Sequence, residues 1–165
     1  MDITVLEKRG YCRAQGYRVR SILPVMQIYK SKYGQLPGTT YSEIVAAARR
    51  EYHIVQKRTP RRIPYVRSAY FAKDKVFLNT FWEHLKQKHP TDQERRLKLY
   101  AAALDLIRNS KVTPDTIFAE DDKDTLLHRF HGLSQDGQYF SVQIKESKRT
   151  HRKEFMSVFP AKQPK

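Results

Sequence analysis

Cysteine, acidic residues and long apolar runs are all scarce in this sequence. The single cysteine, Cys12, excludes an internal disulfide and a zinc site built from several cysteines. We therefore expect a reducing, cytoplasmic compartment. No run of about 18 apolar residues is present, so a membrane-spanning helix is not expected. The first residues also lack the basic and apolar segments of a secretory signal.

The shortage of acidic residues leaves the chain strongly basic. Its 165 residues include 32 Lys and Arg against 17 Asp and Glu, a formal net charge of +15. Such a charge favours a polyanionic partner, either nucleic acid or an anionic membrane surface, and we expect nucleic acid because 12% of the residues are aromatic. The length suffices for one domain with a real core, or for a domain with a small extension.

Residues 1–38 have weak patterning. Residues 21–32 show helical apolar spacing. Residues 1–60 are predicted to form a basic extension or a small helical unit. This segment either is simply solvated or binds phosphate or a partner protein. A clearer signal is the capping box formed by Thr40 and Glu43, which predicts a helix over residues 41–52. We place a domain boundary near residue 60, with a second unit over residues 61–165.

The most basic segment is KRTPRRIPYVR, residues 57–67, which has five basic residues and no acidic one. Its two prolines exclude a regular helix and favour an extended path. An extended basic strand can follow a phosphate backbone, so Arg58, Arg61 and Arg62 are predicted to bind nucleic acid. The alternative is a solubilising linker.

Two further helices are predicted before the C-terminal third. The aromatic spacing of residues 74–89 indicates a helix that ends at Pro90, with its aromatic stripe in the core. Thr91 and Glu94 form a second possible capping box, which opens a helix to about Asn109, and the two helices should form an antiparallel pair. The acidic residues of the segment 114–124 are expected to be a solvated loop rather than a cation site.

The C-terminal segment 126–160 organises the fold. Alternating apolar residues predict strands over residues 128–134 and 138–146, joined by the Asp136-Gly137 turn, and a third strand over residues 152–159 that Pro160 ends. The fold class is therefore predicted as α+β, with N-terminal helices packed on one face of a small C-terminal antiparallel β-sheet.

Histidine, lysine, arginine and serine are concentrated on these strands. RNA cleavage without a metal needs a base, an acid and cations around the phosphorane, and these side chains can supply all three. His128 and His131 are three residues apart, so they face opposite sides of a strand. If His128 faces inward, Arg129 and His131 lie on the open face. The basic turn KRTHRK, residues 148–153, is a candidate phosphate contact or a merely solvated turn.

The segments LHRFHG, GQYFSVQIKE and KEFMSVFP, with the helical stretches FLNTFWEHLKQK and RRLKLYAAALDLIRNS before them, resemble the phage and mobile-element nucleases of the barnase–EndoU–colicin–RelE-like group. The resemblance covers residues 67–160. It implies an RNase site on the sheet face opposite the helices. By the group's pattern His128 would be the general acid or base, Lys145 the phosphorane stabiliser and Ser157 a phosphate contact, with His131 in support.

The predicted function is thus a metal-independent, toxin-like endoribonuclease that needs no cofactor and cleaves RNA, in preference to DNA, by 2′-hydroxyl attack. An acidic antitoxin or immunity protein is an expected partner. The predicted catalytic residues are His128, Lys145, Ser157 and His131; the predicted nucleic-acid contacts are Arg58, Arg61, Arg62, Arg129, Lys148, Arg149, Arg152 and Lys153. The alternatives are a non-catalytic nucleic-acid-binding protein, and a docking partner of a phage protein whose charge serves only solubility.

Overall fold

The computed structural model describes residues 27–163 and, for the backbone alone, three short strands near the N-terminus. These strands are β1 (Leu6–Glu7), β2 (Tyr11–Ala14) and β3 (Tyr17–Arg20), which pair as an antiparallel sheet in chain order. Half of the helix predicted over residues 21–32 lies outside the described residues. Its described part contains a short strand, β4 (Tyr29–Lys30), instead.

The remaining elements form an α+β fold, which confirms the predicted class. The helices are α1 (Tyr41–Arg58), α2 (Asn79–Leu85), α3 (Pro90–Leu97) and α4 (Tyr100–Asn109). The strands are β5 (Tyr65–Arg67), β6 (Lys75–Phe77), β7 (Asp115–Phe118), β8 (Thr125–Leu133), β9 (Tyr139–Ser147) and β10 (Lys153–Pro160). Within the described residues, no helix is both long and apolar enough to cross a bilayer.

The first helix begins as its sequence predicts. Thr40 accepts a hydrogen bond from the Glu43 amide, and the Glu43 carboxylate accepts from the Thr40 amide, so the capping box is confirmed. The helix runs beyond the predicted end to Arg58. There the Thr59 hydroxyl donates to the Val55 carbonyl, and Pro60 follows.

The second and third predicted helices are wrong in part. Residues 75–77 form strand β6, because Val76 is buried between β5 and β10, and only residues 79–85 are helical in α2. The third helix is divided into α3 and α4. Its N-cap is His89 rather than Thr91, since Pro90 takes the first helical position, where proline is favoured. The segment predicted as an acidic loop contains strand β7.

The main sheet has seven strands in the order β4-β8-β9-β10-β6-β5, with β7 pairing β8 as well. Strands β8, β9 and β10 pair antiparallel, which confirms the predicted hairpin and third strand. The sheet as a whole is mixed rather than purely antiparallel, because β4 runs parallel to β8 and β6 runs parallel to β10.

Alternate residues of the central strands face the hydrophobic core. Phe130, Val142, Ile144 and Phe155 pack in one cluster with buried residues of all four helices. We call this side of the sheet the core face and the side of the intervening residues the outer face. Helix α1 contributes Ile44, Ala48 and Val55 to the same cluster. The domain boundary near residue 60 stays a prediction.

Candidate active site

The carboxylate of Glu146, near the end of β9, lies among three basic side chains. Its Oε2 is 2.7 Å from His128 Nε2, and its Oε1 is 3.3 Å from Lys153 Nζ and 3.5 Å from His151 Nδ1. Strand pairing sets this up, because Glu146 lies opposite both Lys153 on β10 and Leu126 on β8, two residues from His128. The Glu146 side chain is only 13% exposed.

Its surroundings keep Glu146 ionised. Burial by itself would raise the pKa of this carboxyl group, but the hydrogen bond with His128 and the charge of Lys153 outweigh burial, so the pKa is lowered below its ordinary value. Glu146 is therefore a carboxylate at neutral pH and is able to accept a proton.

His128 is buried beside this carboxylate, and both of its ring nitrogens are occupied. Its Nε2 carries a proton, because an ionised carboxylate can only accept, and its Nδ1 lies 2.8 Å from the Thr116 hydroxyl. The edge of the ring contacts Phe71, with 5.1 Å between ring centroids. His128 is therefore placed to orient Glu146 rather than to reach a substrate.

Lys153 is also buried, and its ammonium group joins Glu146 to the segment before β6. Its Nζ donates to Asp74 Oδ2 at 2.9 Å and to the His151 carbonyl at 3.0 Å. This hydrogen bond, with the charge of Lys153, lowers the pKa of the exposed Asp74 carboxyl group. The predicted phosphate contact of Lys153 would have to compete with these protein partners.

His151 is the exposed member of the group. Its side chain is 76% exposed, and its φ of 55° places it in the left-handed region that non-glycine residues adopt rarely. The turn holds this conformation through hydrogen bonds from the His151 amide to the Ser147 carbonyl, 2.7 Å, and from the Ser147 amide to the Arg152 carbonyl, 3.0 Å. A left-handed residue at such a turn is often associated with function.

An open cleft of about 430 Å³ adjoins these groups at the ends of β6 and β10. Its lining is mostly basic and consists of Arg67, Asp74, Lys75, Phe77, Thr150, His151 and Arg152. The Arg152 guanidinium lies 4.0 Å from the centre of the Phe77 ring and bonds Glu154 at 2.9 Å. Within residues 27–163, Arg67 and Lys75 form no ion pair. The cleft therefore has the charge and size to hold a phosphate group with part of its nucleoside.

The four residues predicted as catalytic occupy separate settings. His131 is on the outer face, 2.8 Å from Asp115 Oδ2 and 3.1 Å from Ser141 Oγ. Lys145 is exposed on the same face. Ser157 is buried beside a β-bulge in β10 and accepts a hydrogen bond from Arg96. His128 alone joins the Glu146 group, so the structure does not bring the four together.

The predicted nucleic-acid contacts fall into three groups. Arg58 is the last residue of α1, Arg61 and Arg62 lie in the turn that follows it, and all three are exposed. Arg129 is exposed on the outer face, 5.6 Å from the Phe159 ring centre. The third group lies in and beside the β9–β10 turn and consists of Lys148, Arg149, Arg152 and Lys153. Arg152 lines the cleft, Lys148 Nζ lies 5.0 Å from the centre of the Phe118 ring, and Lys153 is the buried first residue of β10.

The sequence-based selection missed Glu146, His151, Asp74, Arg67 and Lys75. One signal for Glu146 was available, because Phe140, Val142, Ile144 and Glu146 share the inward face of a strand, which places a carboxylate at the end of an apolar row. His151 comes from the β9–β10 turn, whereas Asp74, Lys75 and Arg67 reach the cleft because β6 pairs with β10 on one side and β5 on the other. In the described part of the chain, no group of three or more His, Cys, Asp and Glu side chains is arranged to hold a metal.

Comparisons of this chain with protein-family models, with curated proteins and with solved structures found no match.

Proposed function

We propose that this protein is a metal-independent endoribonuclease whose active site is the cleft beside Glu146 and His151. One observation carries the proposal: a nearly buried, ionised carboxylate lies 3.5 Å from an exposed imidazole at the wall of a basic cleft. A proton acceptor, a proton donor and surrounding cations are the three requirements of RNA cleavage by the 2′-hydroxyl.

The reaction begins when Glu146 takes the proton of a ribose 2′-hydroxyl. The 2′-oxygen then attacks the adjacent phosphorus, and the bond from phosphorus to the 5′-oxygen breaks. His151 gives a proton to that leaving oxygen, since an imidazole can donate and accept protons near neutral pH. The products are a 2′,3′-cyclic phosphate and a free 5′-hydroxyl. His151 must turn away from Glu146 to reach the leaving group, which its exposure allows.

The cations of the cleft would stabilise the charge that develops on the phosphorane. Arg67, Lys75 and Arg152 line it, and the two without ion pairs need not give up a protein carboxylate to meet a phosphate. His128 and Thr116 act as positioning residues, because their hydrogen bonds hold the Glu146 carboxylate in place.

Glu146 lies on the core face at the β9–β10 end of the sheet, so RNA on the outer face would reach it around this end, past His151 in the cleft wall. Lys145 lies on the outer face in a cross-strand row with Glu154 and Phe77, about 10 Å from Phe77 at two strand spacings. From this position it can contact a phosphate beside the cleft. A cytoplasmic RNase of this kind needs an inhibitor, and an acidic antitoxin or immunity protein would complement the charge of +15.

The proposal is tested by incubating the purified protein with end-labelled RNA in EDTA. Glu146→Gln and His151→Asn should each lower the cleavage rate by about 100- to 10,000-fold, the usual contribution of a general base or acid. Asparagine is chosen at 151 because it tolerates the left-handed backbone. Glu83→Gln on α2 and His53→Asn on α1 are matched controls at exposed positions away from the cleft and should cleave normally.

The proposed products are 2′,3′-cyclic phosphate ends, which mass spectrometry identifies. Cleavage that persists in both Glu146→Gln and His151→Asn, with both variants folded, would show that the active site lies elsewhere in the protein. The same assay with His131→Ala, Lys145→Ala and Ser157→Ala compares the outer-face and bulge residues directly. The cleft assignment expects the smallest effect from His131, which contacts no residue of the cleft.

A second candidate is a nucleic-acid-binding protein without catalysis. It is favoured by the cations that lie over aromatic rings on the outer face, with Arg152 over Phe77 and both Arg96 and Arg129 near Phe159. In that case the RNA would be retarded on a gel but stay intact, and Glu146→Gln would leave the binding unchanged.

A further inference from the structure

An aromatic pair lies at the outer edge of the sheet, directly beside the cleft. Tyr65 on β5 and Phe77 on β6 are cross-strand partners, with ring centroids 6.0 Å apart and ring planes at 67°. Both side chains are partly exposed, whereas their neighbours Val66 and Val76 are buried in the core. We call Tyr65 and Phe77 the edge platform.

Cations surround both rings of the edge platform. Lys75 Nζ is 4.9 Å and the Arg67 guanidinium 5.9 Å from the centre of the Tyr65 ring, and Arg152 lies 4.0 Å from that of Phe77. These three cations and Phe77 also line the cleft. The edge platform is thus continuous with the proposed active site and combines aromatic rings with phosphate-binding charge, as single-strand binding surfaces do.

The same edge leads away from the cleft to the basic turn after α1. Arg67 lies five positions after Arg62, which is about 16 Å of extended chain. The Arg62 amide donates to the Thr59 carbonyl at 3.2 Å, which closes the turn, and Arg61 has a φ of 64°. In the described residues, no ion pair occupies Arg58, Arg61 or Arg62. This is an ordered, exposed and uncompensated group of positive charges.

We propose that this edge of the sheet is a track for single-stranded RNA, which runs from the cleft across the edge platform to the turn at Arg61 and Arg62. The proposal extends the proposed function by naming the form of its substrate. Stacking on Tyr65, or on the Arg152 guanidinium that lies over Phe77, requires bases that are free of a duplex, because paired bases expose only their edges in the grooves. The backbone phosphates would meet Arg67 and Lys75 near the cleft and the arginines of the turn at the far end.

The track is tested by fluorescence anisotropy with 2′-fluoro RNA, which lacks the attacking hydroxyl and therefore measures binding without cleavage. A single-stranded oligonucleotide of about 12 nucleotides is compared with a blunt duplex that contains the same strand. We expect the single strand to bind more tightly. Tyr65→Ala should weaken single-strand binding by about 5- to 150-fold, the usual loss for one stacked base, and should leave duplex binding unchanged.

Three further variants isolate the role of the ring. Tyr65→Phe keeps an aromatic face and should bind like the wild type. Tyr65→Leu keeps apolar bulk at the sheet edge without the ring and should behave like Tyr65→Ala, which separates stacking from simple packing. Tyr33→Ala removes an exposed tyrosine at a distant loop and should have no effect on binding.

The far end of the track is tested by varying the length of the oligonucleotide. The wild type should bind an oligonucleotide of about 12 nucleotides more tightly than one of about 4, because only the longer strand spans from the cleft to the turn. A double variant, Arg61→Gln with Arg62→Gln, should lose most of this gain and show a shallower dependence of affinity on salt. Single-strand binding that is equal in Tyr65→Ala and wild type would overturn the track, as would tighter binding of the duplex.

The outcomes for track and enzyme are separable. If 2′-fluoro RNA binds as described but ordinary RNA is never cleaved, the track stands and the proposed enzyme fails. If cleavage of RNA depends on Glu146 and His151 but Tyr65→Ala binds single-stranded RNA normally, the proposed enzyme stands and the track fails.

Discussion

Replacing Lys153 with methionine tests whether the charged network beside the cleft stabilises the fold. The Lys153 side chain is buried, and its ammonium group contacts Glu146 Oε1 at 3.3 Å and Asp74 Oδ2 at 2.9 Å. Methionine keeps most of the apolar length of lysine, including the part near Phe71. The substitution therefore removes the charge with little change in packing.

The expected loss of stability arises because the Glu146 carboxylate would lose its ion-pair partner. Removing one partner of a buried ion pair costs about 3–5 kcal/mol, because the remaining charge stays desolvated. Glu146 keeps its hydrogen bond with His128, and 13% of its side chain reaches solvent, so we expect about 3 kcal/mol, the low end of that range. Asp74 is largely exposed, and its pair with Lys153 should contribute much less since solvent screens it.

The pH dependence of this loss has a definite sign. The pKa of Glu146 is lowered in the folded state, so its stabilising contribution is complete above the ordinary carboxyl pKa and is lost as the pH falls through the lowered value. Lys153→Met removes one cause of the lowering. The difference between wild type and variant should therefore be largest at neutral pH and should narrow in acid.

The assay is urea denaturation followed by circular dichroism at several pH values. Asp74→Asn is the control for the exposed partner, and Lys148→Met is the control for removing a lysine from the same turn. A Lys153→Met variant within about 0.5 kcal/mol of the wild type, the range of ordinary surface substitutions, would refute the reasoning. A loss that does not change with pH would show that packing, and not charge, is responsible.

Three other substitutions probe the scaffold, and thermal or urea unfolding measures each. Gly132→Ala should destabilise by about 1–3 kcal/mol, because a Cβ there would lie 2.5 Å from Cζ of the buried Phe140 ring; normal stability would mean that this ring can move. Asp105→Ala should lower the free energy of unfolding by about 2–3 kcal/mol, because the buried carboxylate accepts hydrogen bonds from the Tyr29 and Ser31 hydroxyls and the Lys32 amide. A loss below about 0.5 kcal/mol, the range of ordinary surface substitutions, would contradict that role. Thr40→Ala should cost about 1 kcal/mol through loss of the N-cap, whereas Thr40→Ser should be close to neutral.

Patterns confined to neighbouring residues were predicted well. The alternation in β8 and β9, the Asp136-Gly137 turn and the capping box at Thr40 each depend on a few consecutive residues, and the structure confirms them. The stretch from Lys75 to Phe77 was misread as helix because its apolar residues fit a helical stripe as well as a strand. Its pairing with β5 on one side and β10 on the other decides between the two.

The candidate site shows the same division. Sequence patterns directed attention to the basic turn after β9 and to His128, and both border the site. They did not show that His128, His151 and Lys153 would all lie next to Glu146, because these residues are brought there by two strand pairings and a turn. The contributions of Arg67, Lys75 and Asp74 depend on β6, a strand that the sequence pattern had assigned to a helix.

The sequence by itself determined the charge of the protein, the mixture of helix and strand, and the three strands β8, β9 and β10, since each follows from composition or from local periodicity. Tertiary structure alone decided which polar residues meet. A strand residue gains its neighbours from the register of strands far away in the chain, and a shift of one residue would place Glu146 on the opposite face from His128 and Lys153. The grouping of a carboxylate, an imidazole and cations around one cleft is therefore a property of the assembled sheet.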